Sequence, residues 1–328
     1  MNFDNLIVYL IVTILVIILE ITYFQIADRF NIIDKPNERS SHTQITLRGG
    51  GIVFYLGALI YFVTSNFSYP WFFLGVTFIA FISFLDDIFT ISNRIRLTIH
   101  FIAVYLMSYQ LGITELSWHL LLLSFIIIVG TINAYNFMDG INGITGCYSL
   151  AVGGLLIWEN THVSFIETDL LIYTLISVVV FLFFNFRHKA KCFAGDVGSV
   201  TIAYILLFAL GLLIVKTGNI IYILFLTVYG IDSVWTILRR IYLRENIFKA
   251  HRSHLYQYLA NEAGFNKLGI SFTYGLIQFF IGYGVILAAR NNSLFQWAFA
   301  ISVLVIGSIL YLTVKSWIIT KYMKQHCN

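Results

Sequence analysis

Most of the residues able to do chemistry sit in five short polar stretches. The first, DKPNERSSHTQITLRGGG at 34–51, sets Lys35, Arg39, His42 and Arg48 ahead of a triple glycine. Cations beside the free N–H groups of a helix start make an anion site, and glycine lets a phosphate approach the backbone. A positive membrane anchor with glycines at a helix start is the plainer alternative. The second, FLDDIFTISNRIR at 84–96, places Asp86 and Asp87 side by side with Arg94 and Arg96 one to two helical turns on. Adjacent carboxylates repel, so the pair calls for a divalent cation or an arginine, unless it is only a solvated helix end with ion pairs of its own. In the third, NAYNFMDGINGITG at 133–146, Asn133, Asn136, Asp139 and Asn142 recur at helical spacing, so a continuing helix would turn them to one side. The fourth, FRHKAKCFAGDVGSV at 186–200, sets Asp196 between two glycines before an apolar run, as a helix cap or as a Mg²⁺ ligand shared with phosphates. Phe193 stands three residues earlier, a ring able to stack on a base or to face lipid. The fifth, KAHRSHLYQYL at 249–259, offers His251, Arg252 and His254 as phosphate contacts or as a merely soluble basic loop. It lacks the i, i+4 histidines and the glutamate of an H-E-x-x-H zinc site, so zinc hydrolysis is a poor fit.

What must position these stretches is an all-α, polytopic membrane body. The chain has 328 residues, of which 59% are hydrophobic and 11% charged, with a mean hydropathy of +0.84, whereas soluble domains average about 25% charged. Its apolar runs are continuous, without the alternation of barrel strands, and lipid requires each span to satisfy its own backbone. Three cysteines, Cys147, Cys192 and Cys327, lack metal or redox spacing and read as reduced apolar residues. Dividing the chain at its polar interruptions gives about eleven spans, near 5–26, 50–65, 70–85, 97–112, 118–135, 142–158, 169–186, 198–215, 219–237, 268–289 and 295–314. The two prolines, Pro36 and Pro70, fall between spans, so unkinked helices are expected.

Charge then sets the orientation. Of the twenty Lys and Arg, all but Lys216 and Arg290 lie on one side of this arrangement, and cytoplasmic loops accumulate positive charge. The N-terminus is therefore expected outside and the C-terminus in the cytoplasm, with the first segment retained as a helix and no cleavable signal needed. Residues 1–328 read as one membrane-embedded domain whose polar loops near 27–49, 86–96, 136–143, 187–197 and 238–267 all face inward. Acidic clusters suited to Mg²⁺, cations for phosphates, an amide stripe and an apolar body on one membrane face describe transfer of a phosphate-containing group from a soluble donor to a lipid acceptor. A secondary transporter would instead show inverted repeats and broken helices, with ionisable groups at the midplane. Only Glu20, His100 and Asp232 lie within spans. A lipid-diphosphate phosphatase, the remaining alternative, would use Asp and His at the same surface without a base-stacking ring.

The order and spacing of DKPNERSSH…RGGG, FLDD, NAYNFMDGINGITG, FAGDVGS and HRSHLYQ resemble those of the polyprenyl-phosphate N-acetylhexosamine-1-phosphate transferases. That family, glycosyltransferase family 4, is related to the phospho-N-acetylmuramoyl-pentapeptide transferase of peptidoglycan synthesis, and the resemblance covers nearly the whole chain. It implies a UDP-N-acetylamino sugar as donor and undecaprenyl phosphate as acceptor. The acceptor would attack the β-phosphorus, UMP would leave, and Mg²⁺, with Mn²⁺ as the alternative, would serve as cofactor. By the same resemblance Asp196 matches the metal ligand, and Asp86 and Asp87 match the acidic pair beside metal and acceptor, Asp87 being counted with the metal. Phe193 matches the uracil-stacking position; Asn133, Asn136 and Asp139 match the nucleotide-side stripe; His251 and His254 match the phosphate-engaging histidines. Arg48, His42 and Arg252 join the substrate contacts. HRSH keeps two histidines where relatives are denser, with Arg252 between them, and leucine stands in ITLRGGG where proline is frequent. RSSH, RGGG and HRSHLYQ look most like the subgroup that starts O-antigen or similar surface glycans, some on 6-deoxy sugars such as FucNAc or QuiNAc. The implied setting is a bacterial inner membrane with the site on its cytoplasmic face, a homodimer as default assembly, and no nucleic-acid partner.

Overall fold

The computed structural model describes residues 3–34, 45–89, 91–246 and 252–323. His42 and His251, with Lys35, Arg39 and Lys249, lie outside the described residues.

Each apolar segment falls on helix. In chain order these are α1 (Phe3–Arg29), α2 (Ile52–Thr64), α3 (Pro70–Phe89), α4 (Asn93–Gln110), α5 (Trp118–Met138), α6 (Ile144–Val163), α7 (Thr168–Asn185), α8 (Gly195–Thr217), α9 (Thr227–Tyr242), the single turn α10 (Leu255–Gln257), α11 (Lys267–Ala289) and α12 (Ser293–Ile318). Among the described residues eight helices are long and apolar enough to cross a membrane, and α2 is a shorter apolar helix. Pro70 is the first residue of α3, a position where its missing N–H has no partner to lose. Polar caps start the helices between spans: Ser92 accepts from Ile95 N, Asn266 from Leu268 N and Gly269 N, and Asn292 from Phe295 N.

The expectation of unkinked spans fails at the ninth segment. Ile220–Leu226 is a 3₁₀ helix that gives way to α9 at Thr227. Gln278 of α11 repairs the break: its Oε1 accepts from Val228 N at 3.0 Å and its Nε2 donates to Leu224 O at 3.1 Å. A buried side-chain amide thus replaces the bonds the backbone gives up, which a break inside lipid requires.

Burial sorts the helices. Every residue of α8 from Val197 to Leu210 is buried, as a helix apolar on all sides must be when it forms the centre of a bundle. It packs against α2, α3, α5 and α6. At the periphery, α12 buries only Tyr311, Lys315 and Ile318, while α1, α5 and α12 turn many Leu, Ile, Val, Phe and Trp side chains outward. That outward apolar surface is what lipid replaces water against.

The all-α reading has one small exception. β1 (Ile33–Asp34) pairs antiparallel with β2 (Thr46–Leu47), and Leu47 forms a parallel bridge with Cys192. The chain after β2 then zips onto the loop before α8: Phe193 N donates to Leu47 O at 2.8 Å, Gly50 N to Phe193 O at 2.8 Å and Gly51 N to Ala194 O at 3.0 Å. Here α2 and α8 begin in backbone contact, and a Cβ on either Gly51 or Gly198 would collide with the other's backbone.

Candidate active site

The starts of α2 and α8, the end of α3 and the start of α4 meet at one place, and three carboxylates and two guanidiniums fill it. Asp87, in the last turn of α3, has a fully buried side chain. Its Oδ1 accepts from Asp196 N at 3.0 Å and its Oδ2 from Val197 N at 3.0 Å, so a carboxylate of α3 caps the N-terminus of α8, where free N–H groups favour negative charge. Arg48 Nε adds an ion pair to Asp87 Oδ1 at 2.7 Å. Gly195, at φ +71°, makes the turn into α8 beneath this carboxylate.

That arrangement releases Asp196 from capping its own helix. Its carboxylate, 16% exposed, receives Arg96 at 2.9 Å and Asn136 Nδ2 at 3.2 Å on Oδ2, and Arg48 at 3.5 Å on Oδ1. Asp86 is held by Arg96 at 2.5 Å and by Ile91 N at 2.6 Å. Arg96 therefore bridges Asp86 and Asp196, while Arg94 points to solvent. Three carboxylates facing two guanidiniums leave the ionised cluster one negative charge.

The expected amide stripe divides. α5 stops at Met138, and Gly143, at φ +84°, starts α6 afresh, so the four residues do not share one face. Asn136 reaches Asp196, but Asn133 donates to Val129 O of its own helix at 2.8 Å. Asn142 donates to Arg187 O at 2.7 Å. Asp139 accepts from Thr145 Oγ1 at 2.7 Å, and burial pushes its carboxyl up to about 7, the Thr145 bond partly opposing the shift and the Asp196 charge adding to it. Phe193 is half-buried within the backbone zipper at the mouth of α8.

The described part of the histidine segment docks on the same end of α5. Tyr256 OH donates to Phe137 O at 2.9 Å, and the His254 ring stacks near those of Phe137 and Tyr256, with centroids 6.5 and 6.0 Å away. Arg252, half-buried, opens this segment. Sequence reasoning missed Asn185, a buried amide that accepts from Gly143 N at 2.6 Å and donates to Cys192 O at 2.8 Å, locking two of the site's loops together. Its signal was an asparagine closing an apolar span just before a basic run. It also left Asp232 without a role, although a lone carboxylate inside a span marks itself. Cys147 and Cys192 are unpaired thiols, as expected, and burial raises the Cys192 thiol well above its ordinary value.

A model of the glycosyl transferase family 4 matches residues 69–217, from the start of α3 to the end of α8. A protein of Bacillus subtilis (strain 168) named probable undecaprenyl-phosphate N-acetylglucosaminyl 1-phosphate transferase is 27% identical over 303 residues, covering 86% of this chain and 84% of its own. The undecaprenyl-phosphate alpha-N-acetylglucosaminyl 1-phosphate transferases of Escherichia coli (strain K12) and Yersinia pestis are 26% and 24% identical, each match covering 92% of this chain and 89% of the relative. The matched segment carries Asp86, Asp87, Asn136 and Asp196, and the likeness to these relatives extends over most of the remaining helices, so the chain is similar to glycosyl transferase family 4 in the part that holds this site.

Proposed function

We propose that this protein transfers an N-acetylamino-sugar 1-phosphate from a UDP-sugar to undecaprenyl phosphate, releasing UMP and forming undecaprenyl-diphospho-sugar. The names of the relatives support the reaction class. The observation that carries the reading is the meeting of Asp86, Asp87 and Asp196 with Arg48 and Arg96 at one end of the bundle. UDP-GlcNAc or a 6-deoxy donor such as UDP-FucNAc or UDP-QuiNAc is the sugar source, and the product starts an O-antigen or related surface glycan. The setting is the bacterial inner membrane, with eleven spans, the N-terminus outside and the site on the cytoplasmic face.

The donor set fits one Mg²⁺. Magnesium is commonly held by one or two carboxylates together with substrate phosphates and water. Asp196 is the partly exposed carboxylate, and among the described residues its Oδ1 has only the 3.5 Å contact with Arg48. Among the described residues no cluster of three His, Cys, Asp or Glu would hold a metal unaided; Asp196 would hold the ion together with substrate phosphates. When bound, the ion neutralises charge that develops on the diphosphate. Asp87 has both oxygens engaged by backbone N–H groups and acts by placing the start of α8 and Arg48. Arg48 and Arg96 stand where they can move from carboxylate to phosphate. The acceptor, a phosphate monoester with a second pKa of about 6, is largely dianionic at neutral pH and needs no proton removed. Positioning and electrostatics then carry the phosphoryl transfer.

The test is a membrane assay with Mg²⁺, undecaprenyl phosphate and UDP-GlcNAc, UDP-GalNAc, UDP-FucNAc or UDP-QuiNAc, following UMP and the mass of the lipid product. UMP formed together with lipid-diphospho-sugar, and lost in Asp196→Asn, is the expected result. Free phosphate in place of UMP would move the protein to the phosphatase class.

A further inference from the structure

Behind the histidine segment lies a buried polar cluster in which Asp232 and Lys315 have no part in the reaction proposed above. Asp232, on α9, is 1% exposed, and His254 is 1% exposed. Asp232 Oδ1 faces His254 Nδ1 at 3.2 Å, and the same carboxylate accepts from Leu255 N at 3.0 and 3.1 Å, from Tyr274 OH at 3.0 Å and from Thr236 Oγ1 at 3.3 Å. Lys315, on α12, is 5% exposed and donates to Ser253 O at 2.7 Å, to Thr236 Oγ1 at 3.3 Å and to Tyr311 OH. Two helices, α9 and α12, thus hold residues 253–255 directly, and α11 joins them through Tyr274 on Asp232. Gln257 Oε1 closes the segment from its own side by accepting from His254 N at 3.1 Å.

A buried carboxylate is costly unless its oxygens are filled by donors. Four groups supply hydrogens to Asp232 here, and three of them, Leu255 N, Tyr274 OH and Thr236 Oγ1, do not require the histidine. The ring is placed against an acceptor that is held in position without it. An ionised carboxylate beside Nδ1 keeps a proton on that nitrogen, which fixes both the orientation of the imidazole and the character of its second nitrogen.

We propose that Asp232 is a positioning residue: it holds a proton on Nδ1 of His254 and aims the ring at the diphosphate, with Lys315 of the last helix securing Ser253 beside it. This rests on the proposed transferase reading together with the expectation from the sequence that His254 contacts substrate phosphate.

Two readouts separate this role from mere stability. In the full-length, ¹⁵N-histidine-labelled protein in detergent, the His254 ring signal is identified by its loss in His254→Gln. It is expected to show a protonated Nδ1 in the wild type and to lose that state in Asp232→Asn. A wild-type ring protonated only at Nε2, or a signal unchanged by Asp232→Asn, overturns the proposal and requires neither activity nor a folded variant in the first case. In the UMP assay, Asp232→Asn is expected to lower kcat at least tenfold, and the double variant Asp232→Asn/His254→Gln is expected to be no worse than His254→Gln alone. Losses that multiply would show Asp232 acting independently of the histidine, against the proposal. A wild type that makes no UMP from any donor defeats the transferase reading, while the ring signal still decides the Asp232 assignment.

Discussion

At the scale of single residues, the carboxylates divide their work by what already fills their oxygens. Asp87 accepts two backbone N–H groups and an arginine. An asparagine there keeps one acceptor and turns a donor toward a second donor, so Asp87→Asn is expected to lose at least about a hundredfold in kcat, the scale of a displaced active-site group. The loss should be equal at pH 6 and pH 9. Recovery at pH 9, where the acceptor phosphate is fully ionised, would instead assign Asp87 as a base. Asp139 gives a different signature. Its carboxyl is raised from 3.8 to about 7, so the folded protein binds a proton there that the unfolded chain has released. Stability from this group is complete below about pH 4 and is lost as pH rises through about 7. Asp139→Asn should flatten that decline, so the fall in Tm between pH 5 and pH 8 in detergent is expected to be smaller in the variant than in wild type. The adjacency of Asp86 and Asp87 was plain in the sequence, and so was their need for arginine. Which one would cap α8 was not, because its N–H partners lie 109 and 110 residues away and local spacing cannot report such a contact.

Among the elements, the loops matter as much as the helices, because they bring the starts of α2, α6 and α8 into register. Asn185 joins two of these loops from the end of α7. Asn185→Ala would leave a buried N–H and a buried C=O unpaired, each worth about 1–3 kcal/mol. Several degrees of lost Tm should accompany a fall in UMP formation, and an unchanged Tm would mean water replaces the amide. Helix existence was legible throughout, because uninterrupted apolar runs of spanning length leave the backbone little choice. The extension of α3 through the acidic pair followed less directly, since charges at 86 and 87 mark the end of a span but not of its helix. The break at Thr227 was illegible: IYILFLTVYG contains neither proline nor a charge, and the group that permits the break, Gln278, lies on another helix. The β1–β2 pair was equally hidden, since two-residue strands have no periodicity to read.

For the whole molecule, the near one-sided placement of lysine and arginine makes a prediction independent of catalysis. In intact cells a membrane-impermeant maleimide should label Lys216→Cys, in the last turn of α8, and spare Lys189→Cys, in the loop after α7; the reverse pattern would invert the protein in the membrane. The site meanwhile joins α3, α4, α5, α8 and the β2–α2 turn through five charges that satisfy one another. On the proposed reading, a cation and a diphosphate entering there would not bind independently. Each arginine that left a carboxylate for phosphate would expose a ligand for the cation, and each carboxylate claimed by the cation would free an arginine for phosphate. Linkage makes this reciprocal: nucleotide should tighten metal binding by the same factor as metal tightens nucleotide, so that the two load as a unit and leave as one.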